Sequence, residues 1–456
     1  MKNYRSYRDY RTIKIIKNML KKSLTIALLT AIPLMACAQF AQTDADSKYA
    51  TELLKPGTAV PDFKLKTPEG KSQKISKIIK GKYTVVDFWA SWCPDCRKDL
   101  PNVKRMYEQF APQGVQFLGI SFDNEAEKWQ KALADYAIAY PQLSDLKRMR
   151  DSEVAKAFGV KWIPSMMLID KEGKVVLSTV LSDKLERTLT EVMAKENPVT
   201  LQGTTERLTI DGAKGKLAAI IQKPVLAQGQ RCPMVMLCHG FSGRKDGPMF
   251  ELIADTLMMH GIASIRFDFN GHGDSEGDFV DMTVPNEIED AMKVYEYVRD
   301  LRYVSDVAIV GHSQGGVVAS MTAGKLEQGD IKAVALMAPA AVLRDDAIRG
   351  STMGATYDPL DPPEFVNLFG SLKLGRNYIT TAFSLPIYET AKAYQGPALI
   401  VHGTADRVVP YTYGERYHDI WPKSEIVILD AFDHGFSQNI YRATDIVSKF
   451  LIKTLK

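Results

Sequence analysis

The segment Asp306–Ser320 reads DVAIVGHSQGGVVAS. It opens as an apolar strand, passes through Gly311-His312-Ser313-Gln314-Gly315, and runs on into GVVASMTAGKL, a helix with small residues at its start. G-x-S-x-G in that position answers a steric demand: the glycines let the chain turn sharply from strand to helix, and the turn exposes the Ser313 hydroxyl. A lone match would be only a tight turn. A free serine hydroxyl is a weak nucleophile, so the reading requires a base beside it and a carboxylate to orient the base.

Working outward, both are available. In this strand-turn-helix architecture the acid and the histidine follow the serine in that order. Asp406 ends the strand-like PALIVHGTAD, and His434 lies further on in LDAFDHGF. Asp430 and Asp433 are nearer to His434 in sequence, but adjacent side chains usually diverge, whereas the Asp406 loop follows a strand. The oxyanion of an acyl-transfer intermediate needs two N–H donors. The backbone of Gln314, the residue after the nucleophile, and of Phe241 in the early HGFSG loop are the candidates. His272, His312 and His402 each flank a glycine at a strand end and are read as imidazoles bonded to backbone around the turn.

The strands around this motif recur: MVMLCHGF, IASIRFDFNGHGDS, KAVALMAPA and PALIVHGTAD each end an apolar run at polar, Gly-rich residues, with helical stretches between most of them. That alternation predicts a mainly parallel sheet covered on both faces, with its site at the strand C-termini. TERLTIDGAKGKLAAIIQKP ahead of them reads as a hairpin.

The chain before Pro198 is unlike this half. VVDFWASWCPDCRKDLP, from Val85 to Pro101, is a strand followed by C-x-x-C and a helix in which Leu100, Val103, Tyr107 and Phe110 keep helical spacing. VQFLGIS is a second strand, EKWQKALADY a helix, SMMLID-KEGK-VVLST a hairpin, and Asp183 to Glu196 a final helix. Cys93 is expected exposed at a helix N-terminus, where the dipole favours thiolate, with Cys96 one turn in as the resolving thiol. The seven histidines all fall in the C-terminal half, which excludes a Cys-His nucleophile in the first domain. Of five cysteines, Cys232 and Cys238 read as buried, inert thiols, and metal-site arithmetic is poor.

Lys17, Lys21 and Lys22 precede LTIALLTAIPLMACA, an apolar run too short to span a bilayer comfortably and suited to a signal peptide, with Met19 an alternative start to Met1. Two processing readings stay open. Ala36-Cys37-Ala38 fits signal peptidase, and Leu34-Met35-Ala36-Cys37 resembles a lipobox that would tether the protein through lipid on Cys37. Either implies a periplasmic or exported protein in a compartment that permits disulfides. The composition, 45% hydrophobic and 25% charged with a net charge of +4, is that of a globular protein without a nucleic-acid footprint.

Two resemblances follow. Roughly Pro56 to Lys195 resembles the exported thioredoxin-like proteins of the TlpA/ResA type, carried by VVDFWASWCPDC, Asp87, Pro101 and Ile163-Pro164. It implies a redox disulfide Cys93–Cys96, a buried Asp87 relaying a proton to Cys96, and a cis Pro164 facing the disulfide. About Thr204 to Leu455 resembles the α/β-hydrolase family and, within it, cinnamoyl or feruloyl esterases of gut and rumen bacteria, carried by HGF, FDFNGHGDSEG, GHSQGGVVASM, MAPAA, TYDP and LPIYE. It implies a cap over the acyl pocket and, from that cap, Asp346 and Tyr378 meeting the phenolic hydroxyl of the acyl group. Met353 stands where related esterases can carry a polar residue.

The expectation is an α/β protein with a thioredoxin fold followed by an α/β-hydrolase fold: signal 1–38, linker 39–55, thioredoxin-like domain 56–197, hydrolase 198–456 with a cap at about 343–395. Its expected activity is an exported serine esterase releasing hydroxycinnamates such as ferulate, p-coumarate and caffeate from plant cell-wall polysaccharide. The alternative is a periplasmic thiol-disulfide oxidoreductase carrying a general acyl hydrolase. Expected partners are a small aromatic ester or feruloylated oligosaccharide and a thiol-disulfide partner protein, with no nucleic acid, no metal or organic cofactor, and membrane contact only through Cys37.

Overall fold

The computed structural model describes residues 45–198 and 200–456. The expected signal segment with Cys37, and the first part of the expected linker, lie outside the described residues.

Seven strands build the first sheet: β1 (Lys64–Lys66), β2 (Ser72–Lys74), β3 (Thr84–Trp89), β4 (Gln116–Ser121), β5 (Gln142–Ser144), β6 (Ser165–Ile169) and β7 (Val175–Thr179). Their order is β2-β1-β5-β4-β3-β6-β7. β3 pairs in parallel with β4 and antiparallel with β6, and β6 and β7 form the expected hairpin. Every residue of β3 is buried, as a central strand covered on both faces requires. Val85 and Phe117 pack with Val103, Phe110, Leu185 and Leu189 on one face, so the helices Pro94–Phe110 and Ser182–Glu196 lie together there. Val86, Phe88, Leu118 and Ile120 fill the opposite face.

Residues 45–55, expected as a tether, are packed onto this unit. The Asp46 carboxylate in the helix Ala45–Tyr49 accepts from Thr179 Oγ1 at 2.8 Å and the Val180 N–H at 2.7 Å, and pairs with Lys184 at 2.6 Å. Tyr49 stacks on Trp162 and Leu53 is buried. The polar composition of the segment hid this, because its anchor is a carboxylate.

Eight strands form the second sheet: β8 (Gly203–Asp211), β9 (Lys216–Pro224), β10 (Cys232–Cys238), β11 (Ala263–Phe267), β12 (Val304–His312), β13 (Ile331–Met337), then β18 (Ala398–Gly403) and β19 (Ser424–Leu429). The order is β19-β18-β13-β12-β10-β11-β9-β8, parallel from β19 to β11. β8 and β9 are the expected antiparallel hairpin on one edge. Alternate residues of β10 and β12 serve opposite faces. Met236 and Ile309 pack with the helices Val284–Arg299 and Gln314–Lys325, and Leu237 and Val310 with the helices Pro248–Met259 and Ile440–Leu455. β19 has no counterpart among the strands read from sequence. It is an edge strand of mostly half-buried residues, although its run Ile426-Val427-Ile428-Leu429 is a strand signal that the sequence reading passed over.

Between β13 and β18 the chain makes two short hairpins, β14 (Ser351–Thr352) with β15 (Ala355–Thr356) and β16 (Phe365–Leu368) with β17 (Leu372–Gly375). The helices Val342–Arg349, Arg376–Phe383 and Ile387–Ala391 complete this insertion. β10 has β11 on one side and β12 on the other, so the chain order reverses there. Such a reversal opens a crevice at the strand C-termini, where the HGF loop after β10 and Ser313 after β12 meet.

Candidate functional site

Ser313 joins β12 to the helix Gln314–Lys325 with φ 55° and ψ −124°, left-handed backbone forced on a non-glycine residue. The surrounding glycines are steric necessities. A Cβ on Gly311 would stand 2.0 Å from the Gly315 carbonyl oxygen, and one on Gly315 would stand 2.1 Å from that of Cys238. Backbone strain of this kind persists only where the neighbourhood fixes it.

The side chain so presented has a base and an acid in line. Ser313 Oγ lies 2.8 Å from His434 Nε2, and His434 Nδ1 lies 2.7 Å from Asp406 Oδ2. Asp406 is held by further groups: the N–H groups of Val408 and Val409 donate to Oδ1 at 2.9 and 2.8 Å, and His402 Nε2 is 3.2 Å from Oδ2. Burial alone would raise the Asp406 pKa, but the hydrogen bonds from His402 and His434, with the field of His434, outweigh it and hold the carboxyl well below the ordinary range. Asp430 is bonded to Thr404 and Lys98, and Asp433 to Ser437, so neither faces His434 in place of Asp406.

His312 is half-buried, and desolvation first, then the neighbouring His434, lowers its pKa to about 4. It therefore stays neutral, and its Nε2–H donates to the His434 carbonyl at 2.9 Å. His402 contacts Asp406 and the Val409 carbonyl, and His272 lies 3.3 Å from the Asn270 carbonyl.

The HGF loop closes against the serine from the other side. A Cβ on Gly240 would stand 2.8 Å from Ser313 Cβ, which places the Phe241 backbone beside the turn. Gln314 is the first residue of its helix, where an N–H has no partner within the helix. The loop is fastened below by Lys245, whose backbone N–H and ammonium both donate to buried Asp268 at 2.6 Å.

Two residues expected at an acyl group are already engaged. Tyr378 is buried, and its phenol donates to Gln314 Oε1 at 2.8 Å. Gln314 Nε2 in turn donates to Glu287 at 2.8 Å. Burial, against the Gln314 hydrogen bond and with the field of Asp290, pushes the Glu287 pKa well above the carboxylate range. Asp346 pairs with Arg349, and its pKa is raised chiefly by burial. Its field reaches both Tyr357 and Tyr378, so the cap tyrosines and Asp346 share one neighbourhood. The sequence reading missed the Glu287–Gln314 pair. A signal existed: Glu287 and Asp290 interrupt a helix face otherwise made of Val284, Ile288, Ala291 and Val294, all buried.

In the first domain Cys93 and Cys96 form a disulfide. Cys93 is the N-cap of the helix Pro94–Phe110 and accepts from the Cys96 N–H at 3.1 Å. The expectation that Cys93 is exposed is corrected: it is 4% exposed, because its sulfur sits 3.5 Å from the Ile163 carbonyl of the loop bearing the cis Ile163-Pro164 bond. Trp92 and Trp162 remain exposed around it. Asp87 lies beneath on β3, its carboxylate accepting from the Tyr140 hydroxyl at 2.9 Å. Burial first, and then the field of Asp99, against the Tyr140 hydrogen bond, raises its pKa to about 7. Cys232 and Cys238 are buried free thiols at the two ends of β10, with pKa values raised by burial. Among the described residues no cluster of His, Cys, Asp and Glu suited to a metal ion occurs, and no helix is long and apolar enough to cross a membrane.

Comparison with known proteins separates the same two halves. Residues 56–178 match the AhpC/TSA family, and residues 229–356 match the family described as serine aminopeptidase, S33. The thiol-disulfide oxidoreductase ResA of Bacillus subtilis (strain 168) is 28% identical over 158 residues, 34% of this chain and 86% of that protein. ResA of Geobacillus thermodenitrificans (strain NG80-2) is also 28% identical over 158 residues and is covered to 87%. Est1E from Butyrivibrio proteoclasticus, solved with ferulic acid bound, superposes with a TM-score of 0.52 at 29% identity, covering 54% of this chain and 98% of that one. A second Est1E structure gives a TM-score of 0.50 at 27% identity. The chain is a fusion of a thioredoxin-like domain of the AhpC/TSA kind, similar to ResA, with an α/β-hydrolase domain similar to Est1E.

Proposed function

We propose that the chain is an exported serine esterase that releases hydroxycinnamates from esterified plant cell-wall polysaccharide, joined to a domain that exchanges disulfides with a partner protein. The observation that carries the esterase reading is the continuous line Ser313 Oγ, His434, Asp406, at 2.8 and 2.7 Å, within a domain similar to one solved with ferulic acid bound. His434 takes the Ser313 proton as the oxygen attacks the ester carbonyl. The N–H groups of Phe241 and Gln314 receive the oxyanion. The C–O bond to the alcohol then breaks, and His434 returns its proton to the leaving oxygen. Water, deprotonated by the same histidine, hydrolyses the acyl-serine. Asp406 keeps the imidazole oriented and stabilises its cation.

In the first domain a partner thiolate attacks one sulfur of the Cys93–Cys96 disulfide, a mixed disulfide forms, and a second partner thiol resolves it. The net exchange leaves the chain as a dithiol and the partner as a disulfide, or the reverse. Asp87, with its pKa near neutrality, is suited to hold or release the proton of Cys96.

One observation favours a broader ester range. Tyr378 and Asp346, the groups matched to phenol recognition, are spent on Gln314 and Arg349. Hydrolysis of methyl ferulate, methyl p-coumarate and short alkyl esters by wild type and Ser313→Ala tests both readings. Loss of all hydrolysis in Ser313→Ala is expected. Survival of hydrolysis would end the serine-esterase reading, and equal kcat/KM across the panel would favour the general esterase.

A further inference from the structure

The loop that carries His434, residues 430–439, is strained. Ala431 and Phe436 are non-glycine residues at φ 63° and 54°. Such a loop keeps one conformation only where contacts over-determine it. On the hydrolase side these include buried Phe432 and Phe436, the bond from the Ala405 N–H to the Phe432 carbonyl at 3.0 Å, that from the Ala431 N–H to Thr404 Oγ1 at 2.7 Å, and that from His312 to the His434 carbonyl at 2.9 Å.

A second set of contacts comes from the thioredoxin-like domain. Glu186, buried in the helix Ser182–Glu196, gives one carboxylate oxygen to Arg105 of its own domain. The other accepts from the side-chain amide of Asn439 at 2.8 Å. Asn439 is fully buried; its side-chain oxygen accepts from the Arg442 N–H at 3.2 Å and so caps the helix Ile440–Leu455. Arg187, the next residue, donates to the Ser437 carbonyl at 2.9 Å, and Asp183 accepts from Arg442 at 2.8 Å. At the other end of the loop Lys98, on the dithiol helix, reaches Asp430 at 3.3 Å across exposed surface. Exposed pairs contribute little. A buried carboxylate bonded to a buried amide is different, because removing either partner strands the other away from water.

We propose that the thioredoxin-like domain is a working part of the hydrolase site, with Glu186 and Arg187 as positioning residues that hold the His434 loop through Asn439 and Ser437. The inference rests on the serine-hydrolase reading of Ser313 and His434. The register of His434 against Ser313 must hold to a fraction of an ångström for efficient proton transfer.

The test uses the full chain and two readouts: the second-order rate of Ser313 labelling by a fluorophosphonate, and steady-state hydrolysis of methyl ferulate. Variants are Glu186→Ala, Glu186→Gln, Asn439→Ala, the Glu186→Ala/Asn439→Ala pair, and Arg187→Ala. Glu186→Ala is expected to slow labelling and lower kcat by about ten- to a hundredfold with KM within about twofold. Glu186→Gln, which can still accept from Asn439, should recover most of this loss, and the double variant should be no worse than the worse single. Disulfide reduction by the Cys93–Cys96 domain, unchanged in Glu186→Ala, serves as the folding control. If that control fails, Arg187→Ala decides, because Arg187 lies at the exposed rim. Slowed labelling with intact disulfide reduction supports the proposal. Labelling of the Arg187 and Glu186 variants at the wild-type rate overturns it. Failure of the wild type itself to be labelled would instead overturn the serine-hydrolase reading.

Discussion

The Tyr378 phenol and the Gln314 side chain form one buried hydrogen bond, donor on the insertion between β13 and β18 and acceptor on the residue proposed to give its N–H to the oxyanion. Gln314 is thereby clamped between Tyr378 on one side and Glu287 on the other. Tyr378→Phe leaves Gln314 Oε1 without its donor, a loss of about 1–3 kcal/mol for a buried acceptor. The expected outcome is a fall in kcat of about tenfold or more, alike for methyl ferulate and for an acetate ester, with KM nearly unchanged. Steady-state kinetics on the two esters check it. A loss confined to the ferulate ester, appearing in KM, would place the phenol on the acyl group instead.

Asp406 is bonded to two imidazoles and two backbone N–H groups at once. Asp406→Asn keeps the volume and the acceptor oxygen but removes the charge that stabilises a protonated His434. It also presents an amide where His434 Nδ1–H needs an acceptor. A drop in kcat on the order of ten-thousandfold is expected, with circular dichroism unchanged. Burst kinetics with an aryl ester should show the acylation step as the one slowed.

Asp87 ties the pH dependence of stability to the dithiol site. Its folded pKa, about 7, lies above the carboxylate's ordinary value, so the folded state holds this proton more tightly than the unfolded chain. The stabilisation is fully present below about pH 4 and is lost as pH rises through 7, a swing of roughly 4 kcal/mol at most. Asp87→Asn keeps an acceptor for Tyr140 and cannot ionise. The variant should therefore be more stable than wild type at pH 8, with the gap closing toward pH 4. Four of the five tryptophans, Trp89, Trp92, Trp129 and Trp162, lie in the first domain and Trp421 in the second, so urea unfolding followed by tryptophan fluorescence in a Trp421→Phe background reports on the right half. The same variant should slow disulfide exchange if Asp87 serves Cys96.

Much of this could be read before any coordinates, for a physical reason. Fully buried strands such as β3 and β12 must be continuous apolar runs, and a nucleophile turn must have its glycines, so both leave local marks. Ser313, Asp406 and His434 were legible from motif and chain order. What stayed hidden depends on contacts between distant segments. Glu186 and Asn439 are separated by 253 positions and read as ordinary helix-surface and loop residues until two domains meet. Cys93 read as exposed because the Ile163 carbonyl that covers it belongs to another loop. Glu287 is intermediate: a carboxylate on an apolar helix face was visible, but its partner was not.

Gly240 gives the sharpest steric test of the oxyanion loop. Its backbone needs no left-handed conformation, so an alanine there would be free of backbone strain. Its Cβ, however, would stand 2.8 Å from Ser313 Cβ and 3.1 Å from the His312 carbonyl oxygen. Neither neighbour can yield cheaply, because Ser313 is already strained at φ 55° and His312 is bonded to the loop of His434. The HGF loop must therefore retreat and carry the Phe241 N–H away from the developing oxyanion. Since a shift of about 1 Å in a reacting group costs on the order of a hundredfold, Gly240→Ala should lower kcat by about that factor. Fluorophosphonate labelling should slow in parallel, because it uses the same donors, while thermal unfolding of the hydrolase half should move by only a few degrees. Undiminished turnover in Gly240→Ala would mean that the second oxyanion donor is not Phe241.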